Sequence, residues 1–426
     1  SRMTSAIKFG TSGWRDVIAD QFTFANVRLA CHAIAETLTE TRLGGRGVVI
    51  GYDTRFLSEQ FASEAARILA THGIRCVMSD RGIPTPAVSH AIRHGGYGGA
   101  INITASHNPC YYNGLKFSTE QGAPSPTDVS RMVETKAARM AASADAAALT
   151  APASTRDLPA EIAARVETAD FRGPYFKQIE KLVKFDAIAA AKVRLAVDPR
   201  WGVARGWLDE LLRRHGIAHT VIHDHRDVTF GGGGPDVSEK YLRELSGVVT
   251  GGGYTLGVAC DGDADRFGVV DADGTWINPN LLLALLADYL ADTRGFRQGL
   301  GRTYATTGLI DSVARHYGVA VHQTPVGFKY LGEQILEGKG FLAGEESAGM
   351  SMIGHVPEKD GLLAVLLAAE MVAVRGACIG KLREDLFAKV GALYSRREDF
   401  RVAPEQTERL RAHMKTPPTT LGGRKV

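Results

Sequence analysis

Residues 48–53, Val48-Val49-Ile50-Gly51-Tyr52-Asp53, form a short apolar run that closes on an aspartate. A helical pattern follows at 58–72, and a second run, Ile74-Arg75-Cys76-Val77-Met78, follows that. Strand-length β-rich runs alternating with longer helical stretches are the pattern of βα units around a mostly parallel sheet, so the expected fold class is α/β. Two further runs, 193–198 and 255–261, also end in aspartate, which predicts an architectural repeat with little residue identity behind it.

The chain has 426 residues, enough for about two to four domains at roughly 100 to 200 residues each. Hydrophobic residues at 44% and charged residues at 23% match ordinary globular usage and argue against wholesale disorder. The formal charge of +3 is too small over this length to mark a nucleic-acid or membrane surface, so neither partner is expected. The five cysteines (Cys31, Cys76, Cys110, Cys260, Cys378) are odd in number, dispersed and without CxxC spacing, which supports neither a disulfide framework nor a zinc cluster. A reducing, cytoplasmic setting is the expectation. The most apolar stretch, 281–291, is interrupted by Asp288, and no signal-like segment opens the chain; Ser1 and Arg2, ahead of Met3, are left outside the fold argument.

Composition also suggests boundaries. The Ala/Ser-rich stretch 137–154 reads as a helix followed by a surface connection, ending a first α/β domain at 1–154. A glycine run, Gly231-Gly232-Gly233-Gly234-Pro235, and a second at 251–253 precede a new strand at Tyr254, so a second domain is expected at 155–253 and a third at 254–375, with the aspartate loop at 261–266 in the third or at the boundary between the two. The glycine run lacks the GKS or GKT of a phosphate-binding P-loop and reads as a flexible loop.

Three loops carry candidate chemistry. The buried-strand pattern 98–103 leads into Thr104-Ala105-Ser106-His107-Asn108-Pro109, at the carboxyl end of a strand, where open α/β sheets bind ligands. Pro109 stops the ladder and restricts Asn108, so Ser106 is expected to present its hydroxyl from a fixed loop; a plain Ser/Asn turn is the alternative. A Ser-His hydrolase is disfavoured, because adjacent side chains diverge and no GxSxG elbow occurs.

In Asp261-Gly262-Asp263-Ala264-Asp265-Arg266 three carboxylates alternate with small residues, so a curled backbone can converge their oxygens on one hard cation, Mg²⁺ by preference. An EF-hand is excluded, since Arg266 stands where that loop needs Gly and Ala272 where it needs Glu. The alternative is a solvated acidic turn, in which three carboxylates would repel. The third loop, Gly344-Glu345-Glu346-Ser347-Ala348-Gly349, offers carboxylates and a hydroxyl suited to vicinal sugar hydroxyls, with a helix cap as an equal alternative. Arg15, after a Gly-rich turn, and Lys116, in Asn113-Gly114-Leu115-Lys116, could face a phosphate or be surface cations.

Together these loops resemble the α-D-phosphohexomutase superfamily of phosphoglucomutases and phosphomannomutases. The likeness covers most of the chain: residues 10–15, 104–109, 113–116, 261–266, Thr324-Pro325-Val326-Gly327-Phe328-Lys329, 344–349 and Lys359-Asp360-Gly361 occur in the family's order. The resemblance implies three consecutive α/β domains with mostly parallel mixed sheets around a central cleft. It implies a phosphoserine at Ser106, and Mg²⁺ held by Asp261, Asp263 and Asp265 and touching the phosphoryl group on Ser106. It also implies interconversion of hexose 1- and 6-phosphates through glucose 1,6-bisphosphate, with glucose preferred and mannose second.

On the same likeness Lys116 is the first candidate for general base, if burial or nearby cations lower its pKa, with Arg15 and His107 supporting the phosphoryl group. Glu345 and Ser347 match the sugar-binding loop, and Arg266 and Lys329 match positions near the sugar or its phosphate. Phe328 stands where some relatives carry histidine, so no second base is assigned. The family's fourth domain grips the non-reacting phosphate through an Arg-x-Ser-Gly-Thr loop that this sequence lacks; 376–426 is expected to hold a linker and only that domain's first elements, a strand at 394–402 and a helix at 404–414. Hexose phosphates are the expected partners of a monomer or homodimer. The alternatives are a phosphoglucosamine mutase, an aspartyl-phosphate enzyme of the haloacid-dehalogenase type, and a sugar-phosphate-binding protein without turnover.

Overall fold

The computed structural model describes residues 7–10, 12–152, 158–396, 402–416 and 418–425. The chain falls into two compact units, Ser1–Ala392 and Leu393–Val426. The first unit holds three sheets built on one plan. Sheet one runs β1 (Trp14–Val17), β5 (Tyr112–Thr119), β4 (Gly99–Ile103), β2 (Val48–Tyr52), β3 (Cys76–Ser79), β6 (Val166–Ala169) in spatial order. Sheet two is β10 (Phe267–Asp271), β9 (Leu256–Cys260), β7 (Arg194–Asp198), β8 (Ala218–Val221), and sheet three is β12 (Val321–Thr324), β11 (Gly299–Thr303), β13 (Gly340–Glu345), β14 (Gly349–Met352).

In each sheet a parallel set ends on an antiparallel partner: β4 with β5, β9 with β10, β13 with β14. The inner strands β2, β4 and β9 are buried at every residue, as their continuous apolar sequences require when helices cover both faces of a parallel sheet. One face of sheet one packs on helices Phe24–Glu40 and Ser58–Thr71. The other face, through Val49 and Ala100, joins helices Thr85–Gly95 and Arg172–Leu182 in a core continuous with sheets two and three. Among the described residues no single helix is long and apolar enough to cross a membrane.

The α/β class and the three sheets agree with the sequence reading, but strand pairing moves the expected boundaries. The break near 155 falls in 153–157, outside the described residues, and beyond it the chain returns to sheet one as β6, parallel to β3. No new sheet starts at 254: β9 pairs with β7, so the aspartate loop belongs to sheet two rather than to the third domain. Nor does the third domain end at 375, because helix Ile379–Val390 packs back on helices Pro279–Thr293 and Leu309–Tyr317. Each shift has one cause, since hydrogen-bonded edges and apolar faces find partners that local composition does not announce.

In the second unit helix Pro404–Met414 is present where expected, with the Gln406 side chain accepting from the Ala403 N–H, and a short hairpin pairs Thr420–Leu421 with Arg424–Lys425. Of the strand expected at 394–402, residues 397–401 lie outside the described residues, and its described ends are not in a strand.

Candidate active site

All three candidate loops occupy the same place in their sheets, the turn from a parallel strand into its antiparallel neighbour. Each also holds one non-glycine residue in the left-handed region: Ser106 (φ 52°), Ala264 (φ 58°) and Ala348 (φ 72°). Such backbone costs on the order of 1 kcal/mol or more and persists only where its surroundings enforce it. The enforcement is visible around Ser106. Its N–H donates to Thr104 Oγ1 at 2.9 Å, and its carbonyl accepts from Arg55 Nη2 at 2.6 Å. The same Arg55 guanidinium also donates to the carbonyls of Asn108, Pro109 and Tyr112, at 2.6, 2.8 and 3.0 Å. Asp53 holds it from behind through Nε, at 3.1 Å.

The serine and aspartate loops meet. Ser106 Oγ donates to Asp261 Oδ2 at 2.8 Å, and the acceptor oxygens of Asp261, Asp263 and Asp265 all lie within 4.8 Å of one another, in complete burial. Lys116 Nζ donates to Asp263 Oδ2 at 2.6 Å and to Asp265 Oδ2 at 3.0 Å. Thr85 Oγ1 donates to Asp263 Oδ2 at 2.5 Å, and Lys359 Nζ lies 3.3 Å from Asp265 Oδ2. Two buried oxygens, Asp263 Oδ1 and Asp265 Oδ1, have no hydrogen-bond partner. Buried anionic oxygens are costly unless paired, and an all-oxygen set with two uncommitted atoms fits a hard divalent cation such as Mg²⁺.

The electrostatics agree. Burial, then the charges of Asp265 and Asp263, push the Asp261 carboxyl well above the ordinary carboxylate range. Asp265 is held below that range: burial opposes this, but Lys116, Lys359 and Arg266 outweigh it. Burial alone would lower Lys116, yet Asp263 and Asp265 overcome it and its pKa is raised. The lowered pKa that its role as base requires is therefore not met while Asp263 and Asp265 face its ammonium with no cation between them. His107 Nδ1 lies 3.3 Å from Ser106 Oγ, and burial, Arg266 and Arg15 push its pKa down to about 2. Arg15 Nη1 donates to Asn108 Oδ1 at 2.9 Å, beside the serine loop.

Glu345, the last residue of β13, is buried; burial raises its pKa against the pull of Lys359 and a hydrogen bond from Ser347. The aspartate loop and the 344–349 loop are tied directly, Phe267 N–H to the Ala348 carbonyl at 3.1 Å, and Arg266 N–H caps Asp261 Oδ1 at 3.0 Å. Glu346 turns away, accepting from Thr303 and Thr306 at 3.1 and 3.3 Å. The Lys329 ammonium bonds Thr127 Oγ1, at the start of helix Thr127–Ala141.

Sequence reasoning missed Arg55 and Thr85 and gave Lys359 no role. It also missed the buried link behind Lys359, where Asp360 accepts from Tyr175 Oη at 2.7 Å, contacts His355 Nε2 at 2.7 Å and caps helix Gly361–Arg375. Only Lys359-Asp360-Gly361 had a signal, as part of the family likeness; the others act through partners remote in sequence.

Comparison with known proteins follows the same lines. The chain matches the families described as phosphoglucomutase/phosphomannomutase alpha/beta/alpha domain I over residues 6–143, domain II over 173–274 and domain III over 278–390. Phosphoglucomutase of Komagataeibacter xylinus is 30% identical over 437 residues, covering 95% of this chain and 76% of that protein. Phosphoglucomutase-1 of Homo sapiens is 30% identical over 418 residues, covering 92% and 74%. A crystal structure from Thermus thermophilus, provisionally assigned as a phosphomannomutase, superposes with a TM-score of 0.82 at 34% identity, covering 91% of this chain and 85% of that one. The chain spans about three quarters of the length of these curated relatives.

Proposed function

The chain belongs to the phosphoglucomutase/phosphomannomutase family of hexose-phosphate mutases, and from that premise we propose a Mg²⁺-dependent interconversion of hexose 1-phosphate and hexose 6-phosphate through a phosphoserine at Ser106. The observation that carries this reading is the 2.8 Å approach of Ser106 Oγ to a buried carboxylate triad with two uncommitted oxygens. Mg²⁺ on Asp261, Asp263 and Asp265 would supply charge neutralisation for the phosphoryl group, which is most of what phosphoryl transfer asks of a protein.

The chain's own residues do the rest. Arg55 and Thr104 fix the Ser106 backbone, while Arg15 and His107 line the phosphoryl position. Lys116 holds a proton at Nζ, and Glu345 with Ser347 offers acceptors to sugar hydroxyls. In the first half-reaction the bond between phosphorus and Ser106 Oγ breaks, a bond to the sugar hydroxyl oxygen forms, and that hydroxyl's proton must leave as Oγ gains one. The hexose 1,6-bisphosphate then returns its other phosphoryl group to Ser106. Glucose is the proposed preferred sugar on the likeness to phosphoglucomutases, and mannose the second, since the hydroxyls that a carboxylate and a neighbouring serine would bind are shared by both.

Intact-protein mass after incubation with glucose 1,6-bisphosphate and Mg²⁺ tests the reading. Wild type should gain one phosphoryl group that survives hydroxylamine; Ser106→Ala should gain none and lose isomerase activity by at least about 10³-fold. A hydroxylamine-labile group would move the nucleophile to an aspartate, and a stable one that persists in Ser106→Ala would move it to another side chain.

A further inference from the structure

The glycine run at 231–234 forms no phosphate cradle; it threads between the two loops that meet at Ser106. The Cys110 N–H, in the serine loop, donates to the Gly233 carbonyl at 3.0 Å, and the Gly262 N–H, in the aspartate loop, donates to the Pro235 carbonyl at 3.1 Å. One tripeptide therefore hydrogen-bonds both loops. At its start the Phe230 ring lies 5.1 Å from the guanidinium carbon of Arg55, the residue that clamps the serine loop.

The fit leaves no room for side chains. A Cβ on Gly234 would stand 2.9 Å from the His107 carbonyl oxygen and 3.5 Å from the Asn108 carbonyl. A Cβ on Gly262 would stand 2.6 Å from the Ser106 carbonyl oxygen and 2.8 Å from the Pro235 ring. These neighbours are mostly backbone and ring atoms, which cannot swing aside as a flexible side chain can. Gly231 and Gly232 have φ of 66° and 87°, so their conformation alone explains glycine there. Gly234 does not adopt the left-handed region, so close approach is its only reason.

We propose that residues 230–235 are the spacer that sets the separation of Ser106 from the aspartate triad, with Gly234 as a positioning residue for phosphoryl transfer. The idea rests on the mutase reading for its catalytic consequence but not for its structural one. Gly234→Ala must displace the 107–108 backbone by a few tenths of an ångström or more, while the triad, carried within one short loop, keeps its internal geometry. Misplacement on the scale of 1 Å costs about 10²-fold in rate. The expected result is a kcat at least about 10-fold lower, with KM for hexose 1-phosphate and Kd for Mg²⁺ each within about 2-fold of wild type, a split that general loosening of the fold would not produce.

Hydrogen exchange on the whole chain supplies a readout independent of turnover: protection should fall in 104–110 and 261–266 together. If Gly234→Ala does not fold, Pro235→Ala carries the same test, because it keeps the carbonyl that Gly262 bonds and frees the strap's fixed φ. Wild-type kcat with unchanged exchange in both loops would overturn the proposal, and so would a kcat loss that only follows a loss of Mg²⁺ affinity. A wild-type protein inactive on every hexose 1-phosphate would instead sink the mutase reading, and the exchange result would still decide whether the spacer couples the loops.

Discussion

At Arg55 a fully buried guanidinium serves four carbonyls of one loop, and this accounts for how a strained serine is held in place. Lysine cannot substitute, because three donors on a point charge do not match a fork aimed at four acceptors. Arg55→Lys should lower stability by about 2 kcal/mol and kcat at least about 10-fold. Arg55→Met, which also leaves Asp53 without its cation, should cost about 3–5 kcal/mol. Thermal denaturation alongside steady-state kinetics checks both, and a wild-type kcat in Arg55→Lys would remove the clamp from the account. The sequence flags Asp53 as the end of a run, yet nothing near it announces Arg55, whose acceptors lie 51 to 57 residues further on.

Between elements the repeat hinted at by the aspartate-ended runs becomes physical. Asp53 and Asp198 stand at the carboxyl ends of corresponding strands, β2 and β7, and each accepts from the N–H two residues on, Arg55 at 2.9 Å and Arg200 at 2.8 Å. Each then pairs with that same arginine. Asp261 follows β9, whose counterpart in sheet one is β4, so its run marks a different position in the plan. Asp198 has a further partner, His223, whose Nδ1 lies 2.9 Å away while Nε2 reaches Glu244 at 3.0 Å and the ring stacks on Trp201. Burial would lower the His223 pKa and Arg200 also opposes protonation, but the bond to Asp198 and the two carboxylate charges win, so it is raised. A raised folded-state pKa contributes stability that is fully present below the unfolded value of about 6.5 and lost as pH climbs through the folded one. His223→Gln should therefore cost about 1–2 kcal/mol near pH 5.5 and much less near pH 8.5. Melting temperatures of both proteins at the two pH values decide it; a gap that widens with pH would show the sign to be wrong.

Across the first unit, the cluster gathers Thr85, Ser106 and Lys116 from sheet one's domain, three aspartates from sheet two, and Glu345 and Lys359 from sheet three. No single sheet can build it. Because burial and mutual repulsion disfavour the ionised triad, a cation that binds only this assembled arrangement should stabilise the whole unit. At about 100 times Kd, Mg²⁺ should add about 2.7 kcal/mol, a rise in melting temperature of roughly 3–5 °C. Asp263→Ala should abolish most of that rise and most of the activity, as a comparison of both proteins in Mg²⁺ and in EDTA would show. An unchanged rise in Asp263→Ala would take Asp263 out of the ligand set.

The amino-acid sequence by itself determined the α/β class, the three candidate loops and their order, because strand-length apolar runs, small residues between carboxylates and a proline after a serine are local properties. The tertiary structure alone decided which sheet each strand joined, that Lys116 faces two aspartates which raise its pKa while burial with Arg266 and Arg15 lowers that of His107, that Lys329 bonds Thr127, and that a glycine run threads between two loops. Each of those outcomes depends on a partner far along the chain, such as Asp261 for Ser106 or Asp263 for Lys116, 155 and 147 residues away. Burial then turns that proximity into pKa shifts and steric limits that no window of sequence contains.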